Sequence, residues 1–327
     1  MSRRIPWVLL AVCLLQFAAM VVEADSIIRV ASWNTNNGPN IDQADREAAF
    51  SKVFRAMGAD RVNGIARAVD ILAVQETDQA ASLPSFDRLT MLMNEAYGVE
   101  SYQGVVTGSD RGGDRTGFIY NSATVHLVGE PVDLPGDPVR DMVPTHSTLR
   151  AEFRPVGFGA DFNFTMYSVH LKSSTGPANR TLRAEEVNLL RANADSLGDG
   201  VNVLYAGDFN MLGSSEAAWA NMTTAGPGQG SDLANAPGEW RGDDAFRWLH
   251  TQDPRNKMDD RFDLAFASVA LLDGVGLDYM DGSFRVFGND GSHDLNGPIT
   301  TGSGASPDVL TALTLTSDHL PNPFRKR

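Results

Sequence analysis

Four short apolar stretches of this 327-residue chain each run into side chains of the kinds that hold cations and move protons. A fifth such group stands near the C-terminus. Residues 28–33 end in Asn34, and residues 71–74 end in Gln75-Glu76. Residues 164–169 lead to His170, with Lys172 just beyond, and residues 203–206 open into Gly207-Asp208-Phe209-Asn210. The fifth group is Ser317-Asp318-His319. Strand ends gathered at one rim of a layered α/β fold are where ligands bind. Each residue alone also has a plain structural explanation. Glu76 fits a solvated loop, Asp208 an Asx-turn after Gly207, and His170 a satisfied core position. Asn34 fits a turn continuing into Asn36, Asn37 and Gly38, and Ser317-Asp318 fits a helix cap. All five arising together by chance is a much rarer event than any one.

Strands and helices must alternate to present such ends. Apolar and β-branched runs predict strands at 27–33, 70–74, 102–106, 117–120, 125–128, 149–153, 162–171, 202–205, 262–267 and 284–287. Helical spacing is read over 44–69, with a break near Gly58, over 85–97 through Phe86, Leu89, Leu92 and Met93, and over 181–197 through Leu182, Val187, Leu190 and Ala194. Adjacent strands mixed with a few helices predict α/β of the α+β kind, built in layers. Pure βαβ alternation is missing, and neither G-x-G-x-x-G nor a P-loop occurs. Arg111-Gly112-Gly113-Asp114-Arg115 is glycine-rich but opens a strand. No repeat or low-complexity linker divides residues 25–327, which read as one domain.

Composition narrows the function classes. Hydrophobic residues at 42% and aromatics at 8% exclude a disordered or collagen-like chain. A net charge of −14 argues against a broad electrostatic grip on nucleic acid, but not against an enzyme that holds one phosphate locally. Residues 1–24 predict a secretory signal: Arg3-Arg4, an apolar run interrupted by Pro6 and Gln16, then Ala24 before polar Asp25-Ser26. A retained membrane anchor is the alternative. The expected location is secreted or periplasmic. The single cysteine, Cys13, lies in this segment behind Val12, which is not the small residue a lipid attachment site wants. With the segment removed no thiol remains, which excludes disulfides, a cysteine nucleophile and cysteine-based metal centres. Export without disulfides suggests a bacterial protein, where the sequons at Asn163, Asn179 and Asn221 carry no meaning.

The set Trp33-Asn34, Gln75-Glu76, His170-Leu171-Lys172, Gly207-Asp208-Phe209-Asn210, Phe262-Asp263 and Ser317-Asp318-His319 resembles the endonuclease/exonuclease/phosphatase superfamily. That group includes deoxyribonuclease I-like nucleases, abasic-site endonucleases, secreted sphingomyelinases and inositol-polyphosphate phosphatases. The match runs over about residues 28–320, and G-D-x-N followed far downstream by S-D-H is its most specific pair. The resemblance implies a four-layer sandwich, two mainly antiparallel β-sheets packed face to face with helices outside. It implies Mg²⁺ as cofactor, with Mn²⁺ or Ca²⁺ as alternatives, held by Glu76, the amide oxygen of Asn34 and Asp318. It makes Asp208 the residue that orients or activates water, Asn210 a donor to the phosphate, and His319 the general base with Asp263 holding its imidazole. His170 becomes a second imidazole for the phosphate or leaving group, and Asp114 the carboxylate behind it. Phosphodiester hydrolysis needs this set: a hard cation, a base and positioned donors around an in-line attack.

The resulting expectation is an exported Mg²⁺-dependent phosphodiesterase, foremost a non-specific nuclease on DNA or RNA, acting as a monomer without an obligate protein partner. A sphingomyelinase-type phospholipid phosphodiesterase is the alternative, with Trp219, Trp240 and Trp248 as candidate membrane aromatics, and so is a small organic phosphate phosphatase. A non-catalytic binding module of the same fold is the reading from another class, and the filled catalytic positions oppose it. Arg140 or Arg150 is a further candidate phosphate clamp, against the plainer reading of a solvated arginine. His126 reads as structural. His293 reads as part of a polar loop, with a Ca²⁺ loop as the alternative. After His319 the chain holds Pro321 and Pro323, which cannot supply ladder donors, so a shortened or absent last strand and a mobile C-terminus are expected.

Overall fold

The computed structural model describes residues 27–36, 38–78, 84–107, 114–134 and 145–327. The predicted signal segment with Cys13, together with Asn37, Arg140 and residues 111–113, lies outside them. In chain order the elements are β1 (Ile28–Asn34), α1 (Gln43–Ala59), β2 (Arg61–Val62), β3 (Ile65–Ala66), β4 (Ile71–Thr77), α2 (Phe86–Tyr97), β5 (Tyr102–Val106), β6 (Arg115–Asn121), β7 (Val125–Leu134) and β8 (Thr148–Pro155). They continue as β9 (Phe164–His170), α3 (Pro177–Asp195), β10 (Val203–Asp208), α4 (Ala217–Thr223), β11 (Ser231–Asp232), β12 (Asp263–Ala267), α5 (Pro307–Thr316) and β13 (Asn322–Lys326). One sheet runs β13-β1-β4-β6-β5 and the other β11-β12-β10-β9-β8-β7. Only β1–β4 and β9–β10 pair in parallel within these two sheets.

Alternation along the strands builds the layers. Ile28, Val30, Ile71, Ala73 and Phe118 of the first sheet meet Ala151, Phe153, Met166, Leu204 and Ala265 of the second. Their neighbours in sequence point the other way. Ala31, Trp33, Leu72 and Val74 face α1, α2 and α5, while Tyr167, Val169, Tyr205 and Phe266 face α3 and α4. The result is the four-layer α/β/β/α sandwich expected. In α1 the buried side is Ala49, Phe50, Val53, Phe54 and Met57, with the Phe50 ring 4.9 Å from that of Trp33. Asp42 caps this helix by accepting from the Ala44 N–H at 2.8 Å.

Three expectations are corrected. The helix predicted to reach residue 69 stops at Ala59, because Asn63 (φ 49°) and Gly64 (φ 78°) make a two-residue hairpin turn between β2 and β3. Residues 284–287 form no strand; Arg285 and Phe287 instead donate their N–H groups to the carbonyls of Pro323 and Pro321. The C-terminus is not loose: β13 pairs antiparallel with β1 from Asn322↔Ser32 to Lys326↔Ile28. The prolines are tolerated because they occupy the outward-facing set of an edge strand. The carbonyls of 321, 323, 325 and 327 all accept from residues 278–287, which leaves 322, 324 and 326 to face β1.

This topology explains why chemistry collects at one rim. The parallel strands β1, β4, β9 and β10 end there with Asn34, Glu76, His170 and Asp208. Their antiparallel neighbours begin there, β12 with Asp263 opposite Asp208 and β6 just after Asp114.

Candidate active site

Glu76 sits where the β4–β6 register slips between Val74 and Thr77, at φ 54°. A bulge of this kind re-aims a side chain, and both Glu76 oxygens are held from the end of β1 and the residues just after it. Asn34 donates from Nδ2 to Oε1 at 2.9 Å, and Asn36 donates to Oε2 at 2.9 Å. Asn34 Nδ2 also reaches Asp208 Oδ2 at 3.2 Å, while its oxygen accepts from the Asn36 N–H at 3.3 Å. The amide nitrogen, rather than the oxygen expected to ligate a cation, therefore faces the carboxylates. Gly207 before Asp208 is required sterically: its φ is 154°, and a Cβ would collide with the carbonyl oxygen of Val169. Asp208 does form the Asx-turn, Oδ1 accepting from the Asn210 N–H at 2.9 Å, but Oδ2 is left to face the site. Asn210 lines the same cleft, with Nδ2 donating to the Leu171 carbonyl at 3.0 Å.

His319 Nδ1 and Asp263 Oδ2 are 2.7 Å apart in an aligned hydrogen bond, and His319 Nε2 lies 3.7 Å from Asp208 Oδ2. Ser317 caps a helix at its C-terminal end, that of α5, rather than at an N-terminus. Its hydroxyl donates to the carbonyls of Asn34 and Asn36 and accepts from the His319 N–H, pinning the tripeptide to the end of β1. Trp33 Nε1 adds a bond to the His319 carbonyl at 2.9 Å. On the other side of Asp208 stands His170, with Nε2 3.8 Å from Asp208 Oδ2 and 3.5 Å from Glu76 Oε1. Asp114 Oδ2 lies 2.9 Å from His170 Nδ1, but that N–H is not aimed along a hydrogen bond.

Glu76, His170 and Asp208 thus converge within ligand reach of one ion. Asp318 is farther out: its Oδ1 lies 4.0 Å from His319 Nε2 and has no hydrogen-bond partner among the described residues. Two carboxylates linked by an amide, a third carboxylate oxygen unspent and a nearby imidazole fit a hard divalent cation. A cleft of about 390 Å³ opens over this set, lined also by Ser173, Ser174, Thr175, Arg241, Asp260 and Phe262.

The charges are strongly coupled. Burial pushes the Asp208 carboxyl up against the lowering effect of His319 and His170. Burial likewise raises Asp318 to about 6, with Glu76 and Asp208 adding to it. Burial alone would lower both site imidazoles, but in each case carboxylates outweigh it. Asp114, Glu76 and Asp208 lift His170 to about 10, and Asp263 and Asp208 hold His319 well above the usual range. Asp114 resists its own burial through His146 and His170 and falls to about 2.

All nine sequence-predicted residues line this rim or stand directly behind it. The lesser candidates separate from it. Arg150 binds Asn193 of α3 at 3.0 Å, His126 is exposed on β7, and His293 is buried with Nδ1 2.9 Å from the Asp294 carbonyl oxygen. Trp240 is buried and Trp219 packs on it, leaving Trp248 the exposed one of the three. One member was missed. His146 stacks on His170 with ring centroids 4.0 Å apart and planes 7° from parallel. Its sequence setting, Thr145-His146-Ser147, carries no motif that would have exposed it.

A fold of this shape with this rim is that of a phosphoesterase sandwich. The chain belongs to the endonuclease/exonuclease/phosphatase family, whose model matches residues 31–319. Similar solved structures include the catalytic domain of human Nocturnin with bound sulfate anion, at 16% identity and TM-score 0.60, covering 92% of this chain and 94% of that one. D. rerio TDP2 complexed with single-strand DNA product is also 16% identical, with TM-score 0.58, covering 92% and 99%. A mannosyl-6-phosphatase of Bacteroides thetaiotaomicron is 16% identical, with TM-score 0.55 and the same coverage. No curated protein sequence matches.

Proposed function

We propose that this chain is an exported, divalent-metal-dependent phosphodiesterase whose substrate is nucleic acid. The observation that carries the reading is Asp208 Oδ2 standing between two imidazoles, 3.7 Å from His319 and 3.8 Å from His170, beside the Glu76 carboxylate. Asp208 accepts from and orients the attacking water. His319 would take its proton once a bound divalent cation offsets the carboxylates that keep the ring protonated in the metal-free protein, while Asp263 holds the ring and offsets the imidazolium. His170, on the opposite side of Asp208, donates to a phosphoryl or leaving oxygen, and Asn210 offers its second amide hydrogen to the phosphate. Glu76, with Asp208 and Asp318 beside it, would hold the cation, and Asn34 fixes the two inner carboxylates. Mg²⁺, or Mn²⁺ or Ca²⁺ in its place, supplies charge stabilisation at the phosphoryl oxygens when bound.

A diester is favoured over a monoester by charge. Glu76, Asp208, Asp260 and Asp318 line the cleft, and Arg241 is the one lysine or arginine among its lining residues. Such a wall repels a dianion more than a monoanion. Hydrolysis of a small organic phosphate is a second reading, supported by the cleft volume of about 390 Å³ and the net charge of −14. A phospholipid substrate loses support from Trp240, which is buried, and from Trp219, which is partly buried against it. Export rests on the apolar segment at residues 1–24.

The test is one panel with purified protein: plasmid DNA, RNA, sphingomyelin and bis(p-nitrophenyl) phosphate, each with Mg²⁺ and with chelator. Turnover of DNA or RNA that disappears with chelator is expected. His319→Ala should lower kcat by at least about 10²-fold, the usual scale of a general base. Activity that survives chelation, His319→Ala and Asp208→Ala together would place the reaction elsewhere.

A further inference from the structure

We propose that His146 is a positioning residue that holds the His170 ring in its working orientation, an inference that rests on the role given to His170 above. The two site imidazoles are secured differently. His319 has an aligned hydrogen bond to Asp263. His170 Nδ1 lies 2.9 Å from Asp114 Oδ2 with its N–H off the line to that oxygen, and its Nε2 has no aligned acceptor among the described residues. A charge contact that is off-line restrains ring rotation weakly. The further restraint is the His146 ring lying flat on it at 4.0 Å and 7°. A rotation of His170 about its last side-chain bond would drive an edge into that face.

His146 is itself fixed relative to both partners. Its Nδ1 lies 3.1 Å from the same Asp114 oxygen. The preceding Thr145 donates both its N–H and its hydroxyl to Glu186 Oε1 at 2.8 Å, and the other oxygen of that buried carboxylate accepts the Lys172 N–H at 2.8 Å. Glu186 therefore clamps the residue before His146 to the second residue after His170. On the opposite flank the Thr116 hydroxyl donates to the Ser147 carbonyl at 2.9 Å, tying the residue after His146 to the second residue after Asp114. Three chain segments are locked at the point where the two rings stack.

The same three residues bring their donor atoms close enough to suggest a metal. Ring geometry argues otherwise. Imidazole lone pairs lie in the ring plane, and two planes 7° apart and stacked at 4.0 Å cannot both aim Nδ1 at one ion. Stacking and metal sharing are exclusive here, and the structure shows stacking.

The test uses the full chain with bis(p-nitrophenyl) phosphate and Mg²⁺, and side-chain nitrogen NMR of His170 in metal-free protein. His146→Ala should lower kcat about 10-fold with KM nearly unchanged, the pattern of a misaimed group rather than lost binding. It should also shift and broaden the His170 ring signals. His146→Phe, which keeps a flat ring, should restore most of both, and His146→Gln, which keeps a polar group without a ring, should not. Combining His146→Ala with His170→Ala should cost no more than His170→Ala alone. Normal turnover in His146→Ala, equal behaviour of the Phe and Gln variants, or additive losses would overturn the inference. The Phe and Gln comparison carries the test if the Ala variant does not fold. Full turnover in His170→Ala would instead overturn the reading of the site itself.

Discussion

Asp208 divides its work between two oxygens. Oδ1 is committed to the Asn210 N–H, so the turn sets the carboxylate plane, and Oδ2 is then pointed between the two imidazoles. Asp208→Asn keeps the turn acceptor while removing the charge, so it should fold like the native protein yet lose about 10²-fold or more in kcat, measured on the same diester. The Asp114–His170 pair makes a prediction about stability. His170 is lifted from 6.5 to about 10 on folding, so its contribution is complete below pH 6.5 and is lost as pH rises through 10. Asp114 falls from 3.8 to about 2, so its contribution is complete above 3.8 and is lost as pH falls through 2. Asp114→Asn should therefore flatten the decline in melting temperature of metal-free protein between pH 6.5 and 10. An unchanged decline would assign that proton elsewhere. The catalytic candidates were legible in sequence because their types and strand-end positions are tied to chemistry. His146 was not, because stacking leaves no pattern along the chain.

At the scale of elements, β13 shows where local rules need their tertiary partner. Two prolines in a strand argue against pairing when donors are counted residue by residue. The edge position reverses that inference, since Pro321 and Pro323 point their missing N–H groups away from β1. The hairpin at Asn63-Gly64 is the opposite case: its signal stood in the sequence, but the apolar spacing before it masked where α1 ends. β13 also carries Lys326, fully buried with its amino nitrogen 3.4 Å over the Phe164 ring and no hydrogen-bond partner among the described residues. Burial drives its pKa well below 10.5, so the folded protein holds fewer protons than the unfolded chain, and stability should rise as pH climbs toward 10.5. Lys326→Met should remove that slope and stabilise the protein at neutral pH by about 1–3 kcal/mol, the usual cost of an unpaired buried polar group. Denaturant unfolding at pH 7 and 9.5 reads both. Destabilisation at both values would show that the amine is paired. Phe324, buried between the sheets on the same strand, should cost about 3–5 kcal/mol as Phe324→Ala by the same measurement.

The whole molecule is two sheets whose parallel pairs stop at a common rim, joined across the core by polar contacts. Gln75 Nε2 donates to Ser168 Oγ at 3.0 Å, and Ser168 Oγ donates to the Val74 carbonyl at 3.0 Å, just beneath the site. These ties hold Glu76 of one sheet against His170 and Asp208 of the other, so the candidate catalytic set is as rigid as the sandwich. Charge at this scale then limits how a nucleic acid can bind. A nuclease that tracks a duplex neutralises many phosphates and loses affinity steeply with salt, the slope counting the phosphates held. This chain has a net charge of −14, and Arg241, half-exposed and 3.7 Å from Asp260, is the one lysine or arginine among the lining of its cleft. Its grip must come from the one phosphate at the reacting centre. The logarithm of kcat/KM for DNA should therefore fall with the logarithm of salt at a slope of about −1 to −2, against the steeper values of proteins making six or more phosphate contacts. Arg241→Ala should flatten it by about one further unit. A slope as steep as about −5 would mean that an extended basic surface, rather than this acidic cleft, holds the substrate.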